Sequence, residues 1–334
     1  MVFISKECSL HLHWYLFYRM KFSLNIFILL YISNNAYSQD SLRLLTPSPE
    51  FNKTRFIAAV GVQAAGYGGS LVLLSNAWYK EYDQTSFHSF DDSREWLQMD
   101  KAGHLVTTWY LGRIGIDMFE WAGVFKKKAI WYGTAGSFLY LTGIEVMDGF
   151  SRGWGFSWSD LAANATGTGF IIGQKFLKSA AVGSSLQRGV GEISLKFSFH
   201  QTSWTDLRPS LLGDSVLIRQ LLKDYNGQTY WMSLNISSFL KTEFKFPKWL
   251  NIAIGYGGEG MISGKAEYVT LGNGSTIWVE RYRQYYISLD IDMTKIKTRS
   301  HFLKSVFEAV SFIKIPAPAL EMSKKGVKFH PFYY

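Results

Sequence analysis

Two groups of charged and polar residues interrupt otherwise apolar stretches of this chain, and they hold the side chains best suited to chemistry. The first group is the Asp-Lys-Ala-Gly-His segment at residues 100–104, and the second lies between Glu145 and Asn164. Ionisable groups among apolar residues lose hydration, so they need partners or a ligand. These two groups are therefore the candidate functional site.

A histidine near carboxylates can act as a general base. Asp100 and Lys101 precede His104 by four and three residues, so all three can share one face of a helix. A carboxylate such as Glu145 or Asp160 could fix the tautomer of the imidazole. We predict His104, Glu145 and Asp160 as candidate catalytic residues.

The same residues suggest two classes of ligand. His104, Glu145 and Asp148 could bind a divalent metal ion, although one histidine with carboxylates is not a diagnostic zinc pattern. Lys101 and Arg152 could receive a phosphate or another anionic headgroup. The sequence indicates no particular cofactor. The residues predicted for binding are Asp100, Lys101, Asp148, Arg152, Ser159 and Asn164.

A structural polar network is the main alternative, and the sequence favours it over catalysis. Ser157 and Asp160 have the spacing of a capping box, in which Asp160 would only satisfy backbone donors at a helix start. Glu145 with Arg152 or Lys101 could form an ion pair that ties helices together. Buried ionic clusters of this kind also occur in proteins without catalytic activity.

Four glycine-rich, apolar segments must position these groups. Residues 56–79 carry no charge over 24 residues, which is long enough to span a bilayer. In an antiparallel four-helix bundle, the starts of the second and fourth helices lie near the end of the third. We therefore expect the two polar groups to converge at one end of the bundle. The predicted helices are residues 56–79, 96–121, 129–147 and 159–177.

From residue 190 the pattern changes to the alternation of apolar and polar residues that is typical of strands. Four to six strands are fewer than the eight or so that a closed transmembrane barrel needs, so we expect a small antiparallel sheet. The aromatic C-terminus, residues 329–334, keeps a partial outer-membrane barrel as an alternative. The predicted elements are strands near residues 192–200, 231–237, 251–260 and 285–293, a Gly272-Asn273-Gly274 turn, a helix at 300–310, and breaks at Pro316 and Pro318.

The fold class predicted is α+β, with an N-terminal membrane-associated four-helix bundle followed by a small antiparallel β-rich region. Met20-Lys21, an apolar run and Ala36-Tyr37-Ser38 have the order of a signal peptide, with a retained membrane anchor as the alternative. Cys8, the only cysteine, precedes the cleavage site, so we expect neither a disulfide nor N-terminal lipidation. The predicted domains are 1–38 (over-extended start plus signal peptide), 39–53 (linker), 54–180 (helical bundle) and 190–334 (β-rich region).

Charge indicates the compartment and the partners. If all four helices crossed the inner membrane, the connection with Asp91 and Asp92 would face the cytoplasm and lysines 126–128 the periplasm, which inverts the positive-inside rule. We therefore expect an exported protein on the periplasmic side or at the outer membrane. The net charge of +9 comes from scattered residues without a nucleic-acid motif. We expect a membrane lipid or an envelope protein as partner, and no nucleic acid.

The order of three motifs resembles a known family. Asp-Lys-x-x-His at 100–104, Glu-x-x-Asp-Gly-Phe-Ser at 145–151 and Gly-Phe-Ser-x-x-Asp-Leu-x-x-Asn-x-x-Gly at 155–167 resemble the YfiM-like periplasmic lipoproteins and, more distantly, VanZ-like membrane proteins. The resemblance covers about residues 54–177 and implies a helical cell-envelope protein. This chain departs from the family in its long β-rich extension. The family residues correspond to Asp100, Lys101, His104, Glu145, Asp148, Ser159, Asp160, Asn164 and Gly167.

Three functions are consistent with these patterns. The first is a non-enzymatic envelope protein with a structural or interaction role. The second is a membrane-interface enzyme or a lipid and anionic-headgroup binder that uses His104 with Glu145 or Asp160. The third is a partial outer-membrane barrel. The sequence does not decide whether the protein is an enzyme.

Overall fold

The computed structural model describes residues 46–77, 79, 82–179, 189–207, 217–240, 246–270 and 274–334. The chain divides into two compact units, and the larger one, residues 47–297 with 306–334, contains the candidate site. The predicted signal peptide, Cys8 and most of the 39–53 linker lie outside the described residues. Gly272 and Asn273 of the predicted turn lie outside them as well.

Four long helices follow the predicted segments closely, and the α+β class is confirmed. In the first and third helices, Phe56 contacts Tyr132 and Tyr67 stacks on Tyr140. The residue numbers of the contacting pairs increase together, so α1 and α3 run in the same direction. Contacts such as His104 with Asn164 and Lys175 with Asp117 show that α2 and α4 also run parallel to each other. The helices are α1 (Lys53–Ala77), α2 (Met99–Trp121), α3 (Lys126–Asp148) and α4 (Trp158–Ser179).

Glycine lets these helices approach closely at two places. A Cβ on Gly133 of α3 would overlap the backbone of α2 at Ile116, and a Cβ on Gly167 of α4 would overlap the carbonyl of Leu105 in α2. Both glycines therefore fix the distance between α2 and its neighbours. This close packing sets the spacing of the polar residues at the ends of the helices.

Helix α1 differs from the other described helices because most of its apolar surface is uncovered. Residues Lys53–Asn76 form the one described helix that is long and apolar enough to cross a membrane. Only 6% of its most apolar 18-residue stretch is buried inside the protein. Val62 and Leu73 are 62% and 70% exposed. Contact with α3 occurs on one side, where the Ser70 hydroxyl lies 2.7 Å from the Tyr140 hydroxyl.

The strands form a six-stranded antiparallel sheet in the order β1-β2-β3-β6-β7-β8 and a two-stranded sheet of β4 and β5. Leu195 of β1 packs into the helical core beside Trp109 and Ile171, so the sheet meets the helices at its β1 edge. The strands are β1 (Ser194–Phe199), β2 (Gln228–Asn235), β3 (Leu250–Glu259), β4 (Tyr268–Thr270), β5 (Thr276–Trp278), β6 (Tyr282–Ile291), β7 (Ala317–Ser323) and β8 (Gly326–Tyr333).

The remaining described helical elements are short. One of them confirms the helix expected near residues 300–310. The prolines do not end the regular structure as expected, because β7 contains Pro318, with an irregular register between Ala317 and Ala319. A proline is tolerated at a strand start or a bulge, where its missing N–H breaks no ladder. The short elements are α5 (Trp204–Leu207), α6 (Leu217–Lys223), α7 (Ile236–Phe239), α8 (His301–Ala309) and 3-10 turns at Glu95–Gln98 and Met293–Lys295.

The six-stranded sheet exposes apolar side chains and buries polar ones. Ile254 pairs with Ile287, which pairs with Leu320, and all three are 44–46% exposed. On the opposite face, the Lys196 ammonium lies 2.6 Å from the Asp290 carboxylate, and both residues are 1% exposed. An antiparallel sheet in water normally has the reverse polarity.

Candidate functional site

The two polar groups of the sequence meet at one end of the helices. The start of α2, the end of α3 and the start of α4 converge there, because α3 runs opposite to the other two. Ion pairs and hydrogen bonds connect α2 with α3 and with α4 in this region. The polar cluster consists of Asp92, Asp100, Lys101, His104, Glu145, Asp148, Ser157, Ser159, Asp160 and Asn164.

Lys101 holds three carboxylates. Its Nζ lies 2.6 Å from Asp92, 2.8 Å from Asp100 and 3.2 Å from Asp160. Burial alone would lower the pKa of Lys101, but the carboxylates of Asp100 and Asp160 outweigh it and raise that pKa. The ammonium is therefore already engaged within the protein.

His104 has one ring nitrogen on an amide and the other on a carboxyl group. Nδ1 lies 3.1 Å from Oδ1 of Asn164, and Nε2 lies 3.4 Å from Oε1 of Glu145. An amide oxygen only accepts hydrogen bonds, so Nδ1 carries the proton and the lone pair of Nε2 faces Glu145. Burial lowers the pKa of His104, against the opposing charge of Asp160. The neutral imidazole is therefore favoured.

Glu145 is 1% exposed, and only one of its two carboxyl oxygens accepts a hydrogen bond from a described residue. Its Oε2 accepts the backbone N–H of Ser157 at 3.3 Å, whereas Oε1 is buried with no hydrogen-bond donor among the described residues. Burial raises the pKa of Glu145 to about 9, and the nearby carboxylates of Asp160 and Asp148 add to the effect. No Glu145 ion pair with Lys101 or Arg152 is seen among the described residues, and Glu145 pairs with His104 instead.

Asp160 lies at a helix start, but its carboxyl group does not complete a capping box. The backbone N–H of Asp160 donates to the Ser157 hydroxyl at 3.0 Å, and this hydrogen bond caps the helix. The N–H of Ser157 binds Glu145 instead of Asp160, so the Asp160 carboxyl group is free to face the cluster. Burial raises the pKa of Asp160, and His104 and Lys101 oppose this.

Asp92 is a member of the cluster that the sequence did not predict. Besides Lys101, its carboxylate accepts hydrogen bonds from the hydroxyls of Ser157 at 2.6 Å and Ser159 at 2.8 Å. Although burial opposes the charge, Lys101 and Ser157 hold the pKa of Asp92 at about 2. Asp92 comes from the connection between α1 and α2, where no helical spacing marks it.

Asp148 belongs to the cluster, whereas Arg152 does not. The Tyr79 hydroxyl donates to Oδ1 of Asp148 at 2.6 Å. Burial raises the pKa of Asp148 to about 7, although the Tyr79 hydrogen bond opposes this. The Arg152 side chain is 69% exposed and pairs with Asp83 at 3.1 Å. The structure therefore brings together all the predicted site residues except Arg152.

A cavity of about 600 Å³ adjoins the polar cluster. His104, Glu145 and Asp160 form part of its wall. This volume is typical of a small-molecule site with apolar walls and a few convergent polar groups. Gly103 lets the Tyr230 hydroxyl pack closely against α2, because a Cβ there would lie 2.8 Å from it. Apolar and aromatic wall residues include Leu74, Trp96, Leu111, Ile144, Tyr225 and Tyr230.

The charges of the cluster disfavour an anion in the cavity. Five carboxyl groups accompany one ammonium group and an imidazole that favours its neutral form. Burial raises the pKa of Asp100 to about 7 against the effect of Lys101, and the neighbouring carboxylates of Asp160 and Asp92 add to the rise. The cluster is therefore suited to protons, cations or hydrogen-bond donors. The carboxyl groups are those of Asp92, Asp100, Glu145, Asp148 and Asp160.

Residues 88–174 match the family model described as a predicted periplasmic lipoprotein (DUF2279). The matched segment contains the whole polar cluster, from Asp92 to Asn164, and about a quarter of the chain. The match supports an exported protein of the periplasm or its membranes. No curated protein and no solved structure matches the chain.

Proposed function

We propose that this protein is a membrane-associated protein of the cell envelope that binds an amphiphilic ligand in the cavity beside the polar cluster. The observation that carries the proposal is the composition of the cavity wall. It combines Leu74 and Tyr79, from the C-terminal part of α1 and beyond, with His104 and Glu145. One site thus contains an exposed apolar helix end and buried acid–base groups.

The membrane part of the proposal depends on α1. A helix of 24 residues is about 36 Å long, enough for a hydrocarbon core of about 30 Å. If α1 spans the bilayer, with α2–α4 completing a four-helix bundle, then Leu74 near its end lies close to the membrane surface. The cavity would then be within reach of lipid-like molecules.

The polar part of the ligand follows from the charges. Because Lys101 is engaged and Arg152 pairs with Asp83, the described residues of the cavity wall offer no free cation for a bare anionic headgroup. Nε2 of His104 offers a hydrogen-bond acceptor, and protonated Glu145 offers a donor. A hydroxyl, amide or ammonium group fits this wall, and the apolar walls would take the hydrocarbon chain.

Catalysis at the same site is a second candidate, favoured by the fixed orientation of His104. Asn164 holds the Nδ1–H tautomer, so Nε2 could take a proton from a ligand hydroxyl or a water molecule. The charge of Asp160, which raises the pKa of His104 against burial, would stabilise the imidazolium that results. Replacing His104 with Gln would then abolish turnover while leaving ligand affinity within a few-fold.

The binding proposal is tested with a monoacylglycerol, which has a hydroxyl headgroup, that carries a fluorophore at the end of its acyl chain. Leu111 lines the cavity, whereas Leu139 on α3 is 67% exposed and does not. We expect Leu111→Trp to fill the cavity and weaken binding at least tenfold in a fluorescence anisotropy titration. The matched Leu139→Trp variant should bind like the parent protein. Equal affinities for the two variants would contradict a cavity-bound ligand.

A structural role remains a candidate because Lys101 joins carboxyl groups from α2, α4 and the α1–α2 connection. Unfolding measurements on His104→Ala and Glu145→Ala separate it from the other two. If both variants lose expression and thermal stability, the structural role gains and the binding proposal loses support. If both fold normally and lose monoacylglycerol binding, the structural role is excluded.

The six-stranded sheet offers a second membrane contact. We propose that its apolar outer face, which includes Ile254, Ile287 and Leu320, lies against lipid in the manner of an outer-membrane sheet. Its polar inner face is the pattern that such sheets use. Replacing Ile287 with Asp should lower the thermal stability of the protein in lipid vesicles, whereas an outer face in water would tolerate the change.

A further inference from the structure

We propose that His104, Glu145 and Asp160 bind one divalent metal ion. Each residue contributes one ligand atom, and the three atoms lie within 4.8 Å of one another. Nε2 of His104 and Oε1 of Glu145 are 3.4 Å apart. This site goes beyond the proposed ligand cavity and does not depend on which amphiphile the cavity holds.

Two buried carboxyl oxygens point to the ion. Oε1 of Glu145 and Oδ1 of Asp160 have no hydrogen-bond donor among the described residues, and the two residues are only 1% and 4% exposed. Oδ1 of Asp160 lies 3.2 Å from the Lys101 ammonium, but without hydrogen-bond geometry. A buried acceptor without a donor is costly, and one cation between these oxygens would satisfy both.

The orientation of His104 suits metal binding. A ligating histidine usually donates its other ring N–H to an acceptor, which fixes the tautomer and the ring. Asn164, which is fully buried, provides this acceptor at 3.1 Å. The Thr108 hydroxyl lies 3.0 Å from the same amide oxygen and helps to fix it. The lone pair of Nε2 is thereby directed toward Glu145.

A second trio of carboxylates in the same cluster does not compete for this role. Asp92, Asp100 and Asp160 also lie close enough to share an ion. The Lys101 ammonium already occupies the space between them, at 2.6–3.2 Å from each carboxylate. The cation is therefore expected on the His104 side of Asp160.

The ligand set indicates the class of ion. One imidazole nitrogen and two carboxyl oxygens are not one of the diagnostic zinc sets, but the imidazole favours a transition-metal ion such as Zn²⁺ over Mg²⁺, and an open position faces the cavity. Calcium would need six to eight oxygen ligands. With the ion bound, His104 and Glu145 would hold the metal, and an oxygen atom of the cavity ligand would face the open position of the ion in place of the two side chains.

Zinc binding to the full chain in detergent, after treatment with a chelator, tests the proposal. We expect one equivalent of Zn²⁺ in isothermal titration calorimetry, with Mg²⁺ binding at least a hundredfold more weakly. Glu145→Gln removes one ligand and should weaken Zn²⁺ binding at least tenfold. The matched control is Glu321→Gln. Glu321 is also buried and lies 2.7 Å from His330, but among the described residues it does not belong to any group of three possible metal ligands. This control should bind Zn²⁺ within twofold of the parent.

Two measurements keep the test decisive if Glu145→Gln does not fold. Asp160→Asn removes a different ligand and should show the same loss of affinity, with folding checked by circular dichroism. Co²⁺ added to the parent protein should give a visible absorption band that Zn²⁺ abolishes. The proposal is overturned if the parent shows no saturable Zn²⁺ binding, or if the variants at Glu145 and Glu321 bind Zn²⁺ equally. Zinc binding by the Leu111→Trp variant would separate this outcome from a failure of the ligand proposal.

Discussion

Replacing Asp148 with Asn should make the protein more stable at neutral pH, which is an unusual result for a buried residue. Asp148 lies beside the carboxyl groups of the cluster and accepts one hydrogen bond, from Tyr79 at 2.6 Å. Burial raises its pKa from the ordinary 3.8 to about 7. The folded protein therefore holds a proton that the unfolded chain has released, and Asn has the same shape without the ionisation.

The expected size follows from proton linkage. Between pH 3.8 and about 7 the folded state binds more protons at this site than the unfolded state, so the free energy of unfolding falls as pH rises. A pKa difference of about three, at about 1.4 kcal/mol for each pH unit, amounts to about 4 kcal/mol as an upper limit. Asp148→Asn abolishes this loss, because Asn still accepts the Tyr79 hydrogen bond and does not ionise.

Urea unfolding in mild detergent at pH 4 and pH 8 measures the effect. The variant and the parent should be within about 1 kcal/mol at pH 4, and the variant should be more stable by up to about 4 kcal/mol at pH 8. Asp83→Asn is the matched control, because the Asp83 side chain is 79% exposed, and it should change little at either pH. A difference between Asp148→Asn and the parent that is the same at both pH values would refute the reasoning.

Three further predictions concern packing, charge and the membrane. Gly167→Ala should destabilise the fold by about 1–3 kcal/mol in denaturant unfolding because its methyl group would overlap the Leu105 carbonyl, whereas Gly169→Ala meets nothing within 4 Å and should be neutral or stabilising. Lys101→Met leaves three buried carboxylates without their cation and should lower the free energy of unfolding by about 3–5 kcal/mol; an unchanged unfolding midpoint would contradict the ion-pair geometry. Val62→Asp places a charge near the middle of α1, at a cost of about 2.5–3.5 kcal/mol in a bilayer but under about 0.5 kcal/mol in water, so the membrane fraction that resists alkaline extraction should fall.

The helices and the meeting of the polar groups could be predicted because local spacing determines them. His104 falls on the same helix face as Asp100, and the direction of each helix then decides which ends meet. Asp92 was not predicted as a site residue, because it lies in an irregular connection whose path depends on tertiary contacts. Arg152 was placed in the site by its chain position, but its side chain reaches Asp83 at the surface.

Two other features depend on contacts between distant residues. Spacing alone suggested that Asp160 completes a capping box, and only the Glu145 hydrogen bond to the Ser157 N–H shows that the Asp160 carboxyl group is free of that role. The alternation in residues 285–293 predicted a two-faced strand, and β6 (Tyr282–Ile291) does alternate between buried and more exposed residues. It did not indicate which face would be buried, because that depends on whether the protein interior or a membrane takes the apolar side.

The proposal that the cavity holds an amphiphile is tested most directly by native mass spectrometry of the full chain, released from its own membrane into mild detergent. We predict one bound lipid on the parent protein and on Leu139→Trp, and loss of that lipid from Leu111→Trp. Equal lipid occupancy on the two tryptophan variants would contradict the proposal.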